Sequence, residues 1–438
     1  MSEAKTPLTS SELLSSEAVC LVIKATLKPV GDTDRFQPAG FPEVGHVIYD
    51  APRSNRTKEK VCIVDSPASM ANHLETVCAA ATGSLDLHDD LTNLPFVLCE
   101  TDDRDAIADP SANAKKKKGD IKQTGIGVCS TLTEGHRLAS DYFLDSVMNP
   151  TWVDAAKKMA KAKDGTEKEE TVAAHWGGTI FREQLRKDFK IVEVKKDKTY
   201  FIPPEKWWDI FNTVFKYDPN SLVHGVMFAK EQIKISRLLT AHLEAFGAGR
   251  VGRSGVKFDR LQKTTSGQPI FSVDEETAQE IRATFIIDLA LLRSYGRKDK
   301  GLDDAQKKLL LDLALWKIKQ LIARPFRYRT QCFLGCCGIT IETEMEELDR
   351  APAKSAAKPE GGTSDATNEE QEQSVALLKK LPSLLESLNI KKSIEDCGFK
   401  SGNTTRVYYP AAELFKAGKD EKDGDDDKSD EDTTEDEA

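Results

Sequence analysis

SLVHGVMFAKEQIKISRLLTAHLEAFGAGRVGRSGVKFDRL, residues 221–261, is the stretch on which the reading of the whole chain turns. Ile235, Leu239, His242 and Phe246 recur at steps of three or four, which predicts a helix with one apolar face. Lys234, Arg237 and Glu244 fall elsewhere on that wheel. Gly247 ends the helix, because glycine takes the left-handed conformation of a C-terminal cap. A basic loop follows, in which Gly247, Gly249, Gly252 and Gly255 alternate with Arg250, Arg253, Lys257 and Arg260. Glycines let backbone amides approach a phosphate, and the cations neutralise it. A tight helix-to-strand turn with solvated arginines fits the same letters. Residues 247–252 formally match G-x-G-x-x-G, but a dinucleotide site needs a strand before the motif and a helix after it. The predicted order is the reverse, which excludes that reading.

Upstream, VCLVIKATL (19–27) reads as a buried strand, ended by Pro29. Residues 29–56 form a long loop carrying Phe36, Phe41 and Tyr49 with Arg35, Arg53 and Arg56. Aromatics that stack on bases, with arginines for the backbone, are what single-stranded nucleic acid uses. A loop pinned by its own aromatics has the same composition. VCIVD (61–65) is a strand, and Ser66 with Pro67 starts a helix as N-cap and first residue. PFVLCE (95–100) is a strand. Thr131 and Glu134 make a capping-box pattern for a helix bearing His136 and Arg137. A helix over 179–189 precedes a hairpin, KIVEVKKDKTYFIP, with lysines at its tip. Pro203-Pro204 opens a helix whose Trp207, Phe211, Val214 and Phe215 form a core stripe. Downstream, Ser272 and Glu275 predict the start of a helix running to Gly296, and a further helix stops at Pro325. Phe326-Arg-Tyr-Arg329 then begins a strand.

The net charge of −10 is not spread evenly. Residues 416–438 hold twelve acids and four lysines, so the rest of the chain is near −2. A near-neutral body with local basic clusters neither demands nor excludes nucleic acid. The nine cysteines contain no C-x-x-C pair, and Cys332, Cys336 and Cys337 read as free thiols rather than a zinc site. There is no signal pattern and no apolar run of membrane-spanning length. The expectation is a cytoplasmic protein with no membrane association, no metal and no cofactor. By composition, residues 1–18 are a flexible N-terminus and 19–350 a core with insertions at about 102–123 and 150–220. Residues 351–374 are a linker, 375–415 a small appendage and 416–438 a disordered acidic tail.

Six phrases in fixed order carry a resemblance: RFQPAGFPEVGHVIYDAPR (35–53), KVCIVDSPASMANHLE (60–75), EGHRLAS (134–140), SLVHGVMFA (221–229), LEAFGAGRVGRSGVKFDRL (243–261) and IRATFIIDLALLRSYG (281–296). Together they resemble the Csb-type Cas-seven backbone subunit, of the repeat-associated RAMP superfamily, from type I-G (formerly I-U) CRISPR Cascade effector complexes. The resemblance spans most of 19–335 and leaves out the tail and the two insertions. It implies an α+β fold: a modified RNA-recognition-motif (ferredoxin-like) sheet core with large helical and hairpin insertions and a glycine-rich loop. It also implies an antiviral role in which copies of the chain line up along a CRISPR RNA and present its spacer to target DNA. The other Cascade subunits, a large subunit and a Cas-five or Cas-six type subunit, would be partners.

The RNP1 aromatic pattern of ordinary RNA-recognition motifs is absent, so backbone clamping is expected rather than stacking on the sheet. A guide holder must ignore sequence, and phosphate contacts do that. The RNA-binding residues expected are Arg35, Arg53, Arg137, Gly247, Gly249, Arg250, Gly252, Arg253 and Lys257. No catalytic or metal-binding residue is expected. Two rivals remain. Related type III subunits cut RNA with a metal-assisted aspartate in the loop after the first strand, where Asp32 and Asp34 lie here, although acids in a Gly-Asp-Thr-Asp turn are ordinary turn formers. A protein scaffold unrelated to RNA would instead use the basic loops against an acidic partner.

Overall fold

Leu239–Phe246 is a strand, not the helix its spacing predicts. Leu239, Ala241, Leu243 and Ala245 are buried and the residues between them are half-buried, a period of two. Helical spacing groups His242 and Phe246 with Leu239, whereas the strand turns both away from it. Residues 280–288 correct the second helix in the same way. Glu280–Asp288 is a strand whose Ile281, Ala283, Phe285 and Ile287 are buried. Its apolar alternation runs straight into the helix Leu289–Ser294, and the two merge into one long apolar stretch in the sequence. The boundary is Asp288, whose carboxylate accepts the Leu291 N–H at 2.7 Å.

The computed structural model describes residues 8–41, 45–54, 56–101, 126–153, 156–161, 167–172, 175–194, 199–251, 275–329, 331–343 and 381–409. The chain divides into two units. The first comprises Met1–Leu94, Pro219–Val226 and Ile233–Gly402. The strands of its main sheet are β1 (Cys20–Pro29), β2 (Ile48–Pro52), β3 (Lys58–Asp65), β4 (Leu239–Phe246), β5 (Glu280–Asp288), β6 (Phe326–Arg329) and β7 (Cys332–Thr343). They form one antiparallel sheet in the order β6-β7-β1-β5-β4-β3-β2. Three of its helices are α1 (Pro67–Thr76), α2 (Leu289–Ser294) and α3 (Asp304–Ile322). The central order β7-β1-β5-β4, with α1 before β4 and α3 between β5 and β7, is the split βαββαβ arrangement, and the fold is α+β.

Leu21, Ile23, Ala25 and Leu27 of β1 join the inner face of β4 and β5 as the core. α1 packs on β4, and α3 packs on α1 and β5. α1 begins as predicted, with the Ser66 hydroxyl accepting the Ser69 N–H at 3.2 Å and Pro67 in the first position. α3 is also where the sequence puts it; Asp303 and Gln306 form its capping box. Three buried polar side chains in this core partner one another: Asn220 donates to Glu75 at 2.8 Å and accepts from Lys317. The sheet curls. β6 and β3 stand four strands apart, yet Arg329 of β6 forms an ion pair with Asp65 of β3. The loop after β1 bridges the same two regions, with Gln37 N bonded to Gln331 O at 3.1 Å and Ala39 N to Val64 O at 2.8 Å.

The second unit comprises Pro95–Asp218, Met227–Gln232 and Asn403–Ala438. Its five-stranded sheet runs His175–Ile180, Val147–Val153, Thr404–Tyr408, Phe96–Thr101, Ile126–Ser130. The strand Thr404–Tyr408 lies parallel to Phe96–Thr101, which places the end of the described chain at the centre of this sheet. The expected capped helix over His136 and Arg137 is absent: a 3-10 turn, Arg137–Ala139, leads to the short helix Asp141–Leu144, capped by Ser140. The Ser130–Thr131 backbone is instead drawn into a turn, with the Thr133 hydroxyl accepting the Ser130 N–H at 2.9 Å. The hairpin Val192–Val194 with Thr199–Phe201 is as predicted; its tip, 195–198, lies outside the described residues. No helix among the described residues is long and apolar enough to cross a membrane.

Candidate nucleic-acid interface

Gly247, at φ +62°, turns the chain out of β4. A Cβ there would stand 2.7 Å from the Gln279 side chain, so only glycine fits the turn. The turn is held by Ala248 N to Lys60 O and Gln279 N to Phe246 O, both 3.0 Å. Beyond it the chain enters a second, three-stranded sheet of Gly249–Val251, Glu275–Thr277 and Arg35–Phe36. Thus a strand precedes the glycine run, contrary to expectation, but a strand and not a helix follows it, and the dinucleotide reading remains excluded on that ground.

The small sheet carries two of the predicted arginines, on opposite faces. Arg250 lies directly across from Glu276, and Glu276 from Phe36; Gly249 is across from Thr277, and Thr277 from Arg35. Arg35 Nη1 is 3.3 Å from Glu275 Oε2, and its Nε is 3.8 Å from Asp34. Arg250 Nε is 3.6 Å from Glu276 Oε1, which also accepts from His46 Nδ1 at 3.0 Å. Both arginine side chains are 49% exposed, whereas the Glu276 side chain is wholly buried. Burial first, then the charge of Glu276, pushes the Cys62 thiol up to about 12, with Arg250 opposing.

The neighbouring end of the main sheet adds two more guanidiniums. Arg53 donates to Glu59 at 2.6 Å and lies 5.7 Å from the Phe246 ring centroid. Arg282 of β5 lies 4.1 Å from the same ring, with Glu280 at 3.5 Å. Tyr49, exposed on β2, donates to Glu244 at 3.1 Å. Its phenol is pushed up, by burial first and then by the Glu244 charge and hydrogen bond. The outer face of the central strands carries Val22, Lys24 and Thr26 on β1 and Arg282, Thr284 and Ile286 on β5, opposite the buried rows. None of these six is aromatic, whereas Tyr49 on β2 and Phe333 on β7 are exposed on the same sheet.

Each of these arginines has a carboxylate partner. The pairing orients side chains that stay half-exposed at Arg35 and Arg250. Gly252, Arg253 and Lys257 lie outside the described residues. Arg137 is placed in the second unit, buried, at φ +52° and with Nη1 bonded to Gly135 O at 3.4 Å. Arg282, Glu275, Glu276 and His46 were missed. Reading β5 as a strand would have put Arg282 on the outer face beside Thr26, its register partner; nothing in the sequence marks the two glutamates.

A second cluster looks catalytic at first sight. Asp65, Ser69 and His73 converge, with His73 Nε2 donating to Asp65 Oδ2 at 2.8 Å and Ser69 Oγ donating to the same oxygen at 3.0 Å. Ser69 Oγ is also 3.4 Å from His73 Nε2. Serine and aspartate therefore meet the same ring nitrogen. A base that relays a proton needs them on opposite nitrogens, so this is not a nucleophile–base–acid arrangement. Asp32 sits in a turn at φ +52°, and Asp34 is exposed beside Arg35. Cys332 is buried, Cys336 half-buried and Cys337 exposed, and all nine cysteines are free thiols.

Comparison with known proteins gives three findings. Among solved structures, a "CRISPR RNA-guided surveillance complex, pre-nicking" shares 12% identity with this chain, over 83% of this chain and 89% of the other; its TM-score of 0.27 is too low to carry an argument. No curated protein matches the chain. The family described as CRISPR-associated protein GSU0053 matches residues 21–250. That match spans more than half of the sequence, and the chain belongs to the CRISPR-associated protein GSU0053 family.

Proposed function

We propose that this chain is the CRISPR RNA-binding backbone subunit of a Cascade-type surveillance complex, of the Csb-type Cas-seven kind. Several copies line up along the guide, grip its sugar–phosphate chain and leave the spacer bases free to pair with target DNA. The chain acts by binding and catalyses no reaction. The observation that carries this reading is that Arg35 and Arg250 flank the small sheet of the first unit while Arg53 and Arg282 meet on the Phe246 ring, each beside a carboxylate. Membership of a CRISPR-associated family supports it. The absence of aromatics from the outer positions of β1 and β5 favours phosphate over base recognition. A target-RNA endonuclease using Asp32 and Asp34 has less support, since one aspartate shapes a turn and the other neighbours Arg35.

Binding of single-stranded RNA, followed over a range of salt, tests the reading. The triple variant R35A/R53A/R250A loses affinity by the same factor for guides of unrelated sequence. Each phosphate contact on a single strand contributes about 0.7 to the slope of log affinity against log salt, so the slope falls by about 2. An unchanged slope removes these arginines from the interface. A purified chain that carries no nucleic acid and binds no RNA at low salt ends the proposal.

A further inference from the structure

The carboxylate beneath Arg250 is placed where a simple counter-charge would not be. Glu276 is wholly buried, yet its strand neighbour Arg250 is half-exposed. Burying a carboxylate costs more, through lost hydration, than leaving it at the surface to neutralise the same arginine. His46 Nδ1 donates to Oε1 at 3.0 Å and Arg250 Nε lies 3.6 Å from that oxygen, while Oε2 has no hydrogen-bond partner. The carboxylate is thus anchored by one histidine and presented to the Nε side of one guanidinium. On the other side of that guanidinium is Gly45, at φ +68°. A Cβ at Gly45 would stand 3.3 Å from Arg250 Nη2, tighter than an ordinary contact. The loop that carries His46 to Glu276 therefore also clears the space in which the guanidinium lies.

We propose that Glu276 is a positioning residue of Arg250: from inside the small sheet, with His46 as its own anchor and Gly45 allowing the close approach of the guanidinium, it holds that guanidinium for a phosphodiester of single-stranded RNA. The inference rests on the RNA-binding reading. Two effects of Glu276 oppose each other. Its charge cancels one positive charge near the phosphate and weakens binding. Its grip removes the rotamer freedom of a long side chain before the RNA arrives and strengthens binding. The second is expected to win, because Glu276 is itself fixed by burial and by His46 and so holds its ion-paired guanidinium in one place.

The two effects predict opposite signs, which makes the test sharp. The full-length chain, stripped of bound nucleic acid, is titrated with fluorescein-labelled single-stranded RNA of mixed sequence as wild type, E276Q, R250A and the double variant. Glutamine keeps the shape and still accepts from His46. E276Q is expected to weaken binding by roughly threefold to tenfold, the scale of freezing one long side chain. In the R250A background the same substitution is expected to change nothing, which a loss of general structure would not produce. E276Q binding as tightly as wild type, or tighter, overturns the proposal, as does an equal loss in the R250A background. Should E276Q fail to fold, G45A crowds the same guanidinium, while its backbone strain at φ +68° beside His46 acts with or without Arg250. It is expected to weaken binding about threefold more in the wild-type background than in the R250A background; equal losses overturn the proposal. R250A binding like wild type overturns the RNA reading of this site, and the positioning role with it. Tight dependence on Arg250 with indifference to Glu276 and Gly45 sinks the positioning role alone.

Discussion

Two clusters in the first unit are built from the same three side chains, a buried carboxylate, a histidine and an arginine. In one, both oxygens of Asp65 are filled: Oδ1 by the Ser66 N–H at 2.8 Å and by Arg329, Oδ2 by Ser69 Oγ at 3.0 Å and His73 Nε2 at 2.8 Å. The His73 ring is itself packed edge-on against Phe326 and Tyr328, at 5.2 and 5.6 Å. In the other, Glu276 serves His46 and Arg250 through one oxygen, and the second has no partner. Partner identity does not separate them; saturation does. The Asp65 cluster joins β3, α1 and β6 across the curl of the sheet, and both of its carboxylate oxygens are taken, although Arg329 Nε has no hydrogen-bond partner. The Glu276 cluster joins two strands of the small sheet and the His46 segment around one half-exposed arginine, and one oxygen of its carboxylate has no hydrogen-bond partner.

The comparison breaks most readily at Asp65. D65A leaves His73 and Arg329 without their shared acceptor, and removing one member of a buried ion pair costs about 3 kcal/mol or more. Chemical denaturation should show that loss, while RNA affinity of the folded variant stays within about twofold of wild type. A D65A variant that keeps its stability would mean that the sheet curl does not depend on this cluster. Acid sharpens the same point. Burial, the largest influence on Asp65, raises its pKa, but the His73 hydrogen bond and the Arg329 charge together outweigh it and hold the carboxyl below its ordinary value. A depressed carboxyl contributes stability that is complete above the unfolded value, about 4, and is lost as pH falls through the lower folded value. Urea midpoints for wild type should therefore drop below about pH 4. D65N, already without the charge, should start lower at neutral pH and lose less over the same interval; parallel curves would refute the assignment.

How far the sequence shows these two clusters differs for a physical reason. The Asp65 cluster is mostly local: Asp65, Ser66, Ser69 and His73 lie within nine residues, and Ser66-Pro67 announces the helix that gathers them. The strands β1, β3 and β6 and the helices α1 and α3 are legible for the same reason, through alternation, caps and terminators. Glu276 and Arg250 sit on either side of a long intervening segment and meet only because β4 and β5 are neighbouring strands. Both of those strands carry alanines among larger apolar residues, and Ala241, Ala245 and Ala283 favour helix by propensity. Burial between β1, β3 and each other overrode that preference. Once β4 and β5 are misread as helices, Arg282 and Glu276 have no predictable neighbours. Arg35, Arg53 and Arg250 were found from composition alone, which identifies cations near glycine and aromatic residues but not the carboxylates that hold them.

The smallest expected effect gives the finest test of saturation. Ser69 Oγ is one of four donors to Asp65, and S69A removes it without removing the charge or either cationic partner. A single hydrogen bond is worth about 1 kcal/mol net, and the loss here should fall at or below that because Oδ2 retains His73. The Ser69 N–H stays bonded to the Ser66 hydroxyl, so the start of α1 is untouched. A melting curve should therefore shift by little, and RNA affinity should not move. If S69A instead abolished RNA binding, or a nuclease or hydrolase activity of the chain, the Asp65 cluster would be a working site, and the contrast with Glu276 would fail at its better-filled end.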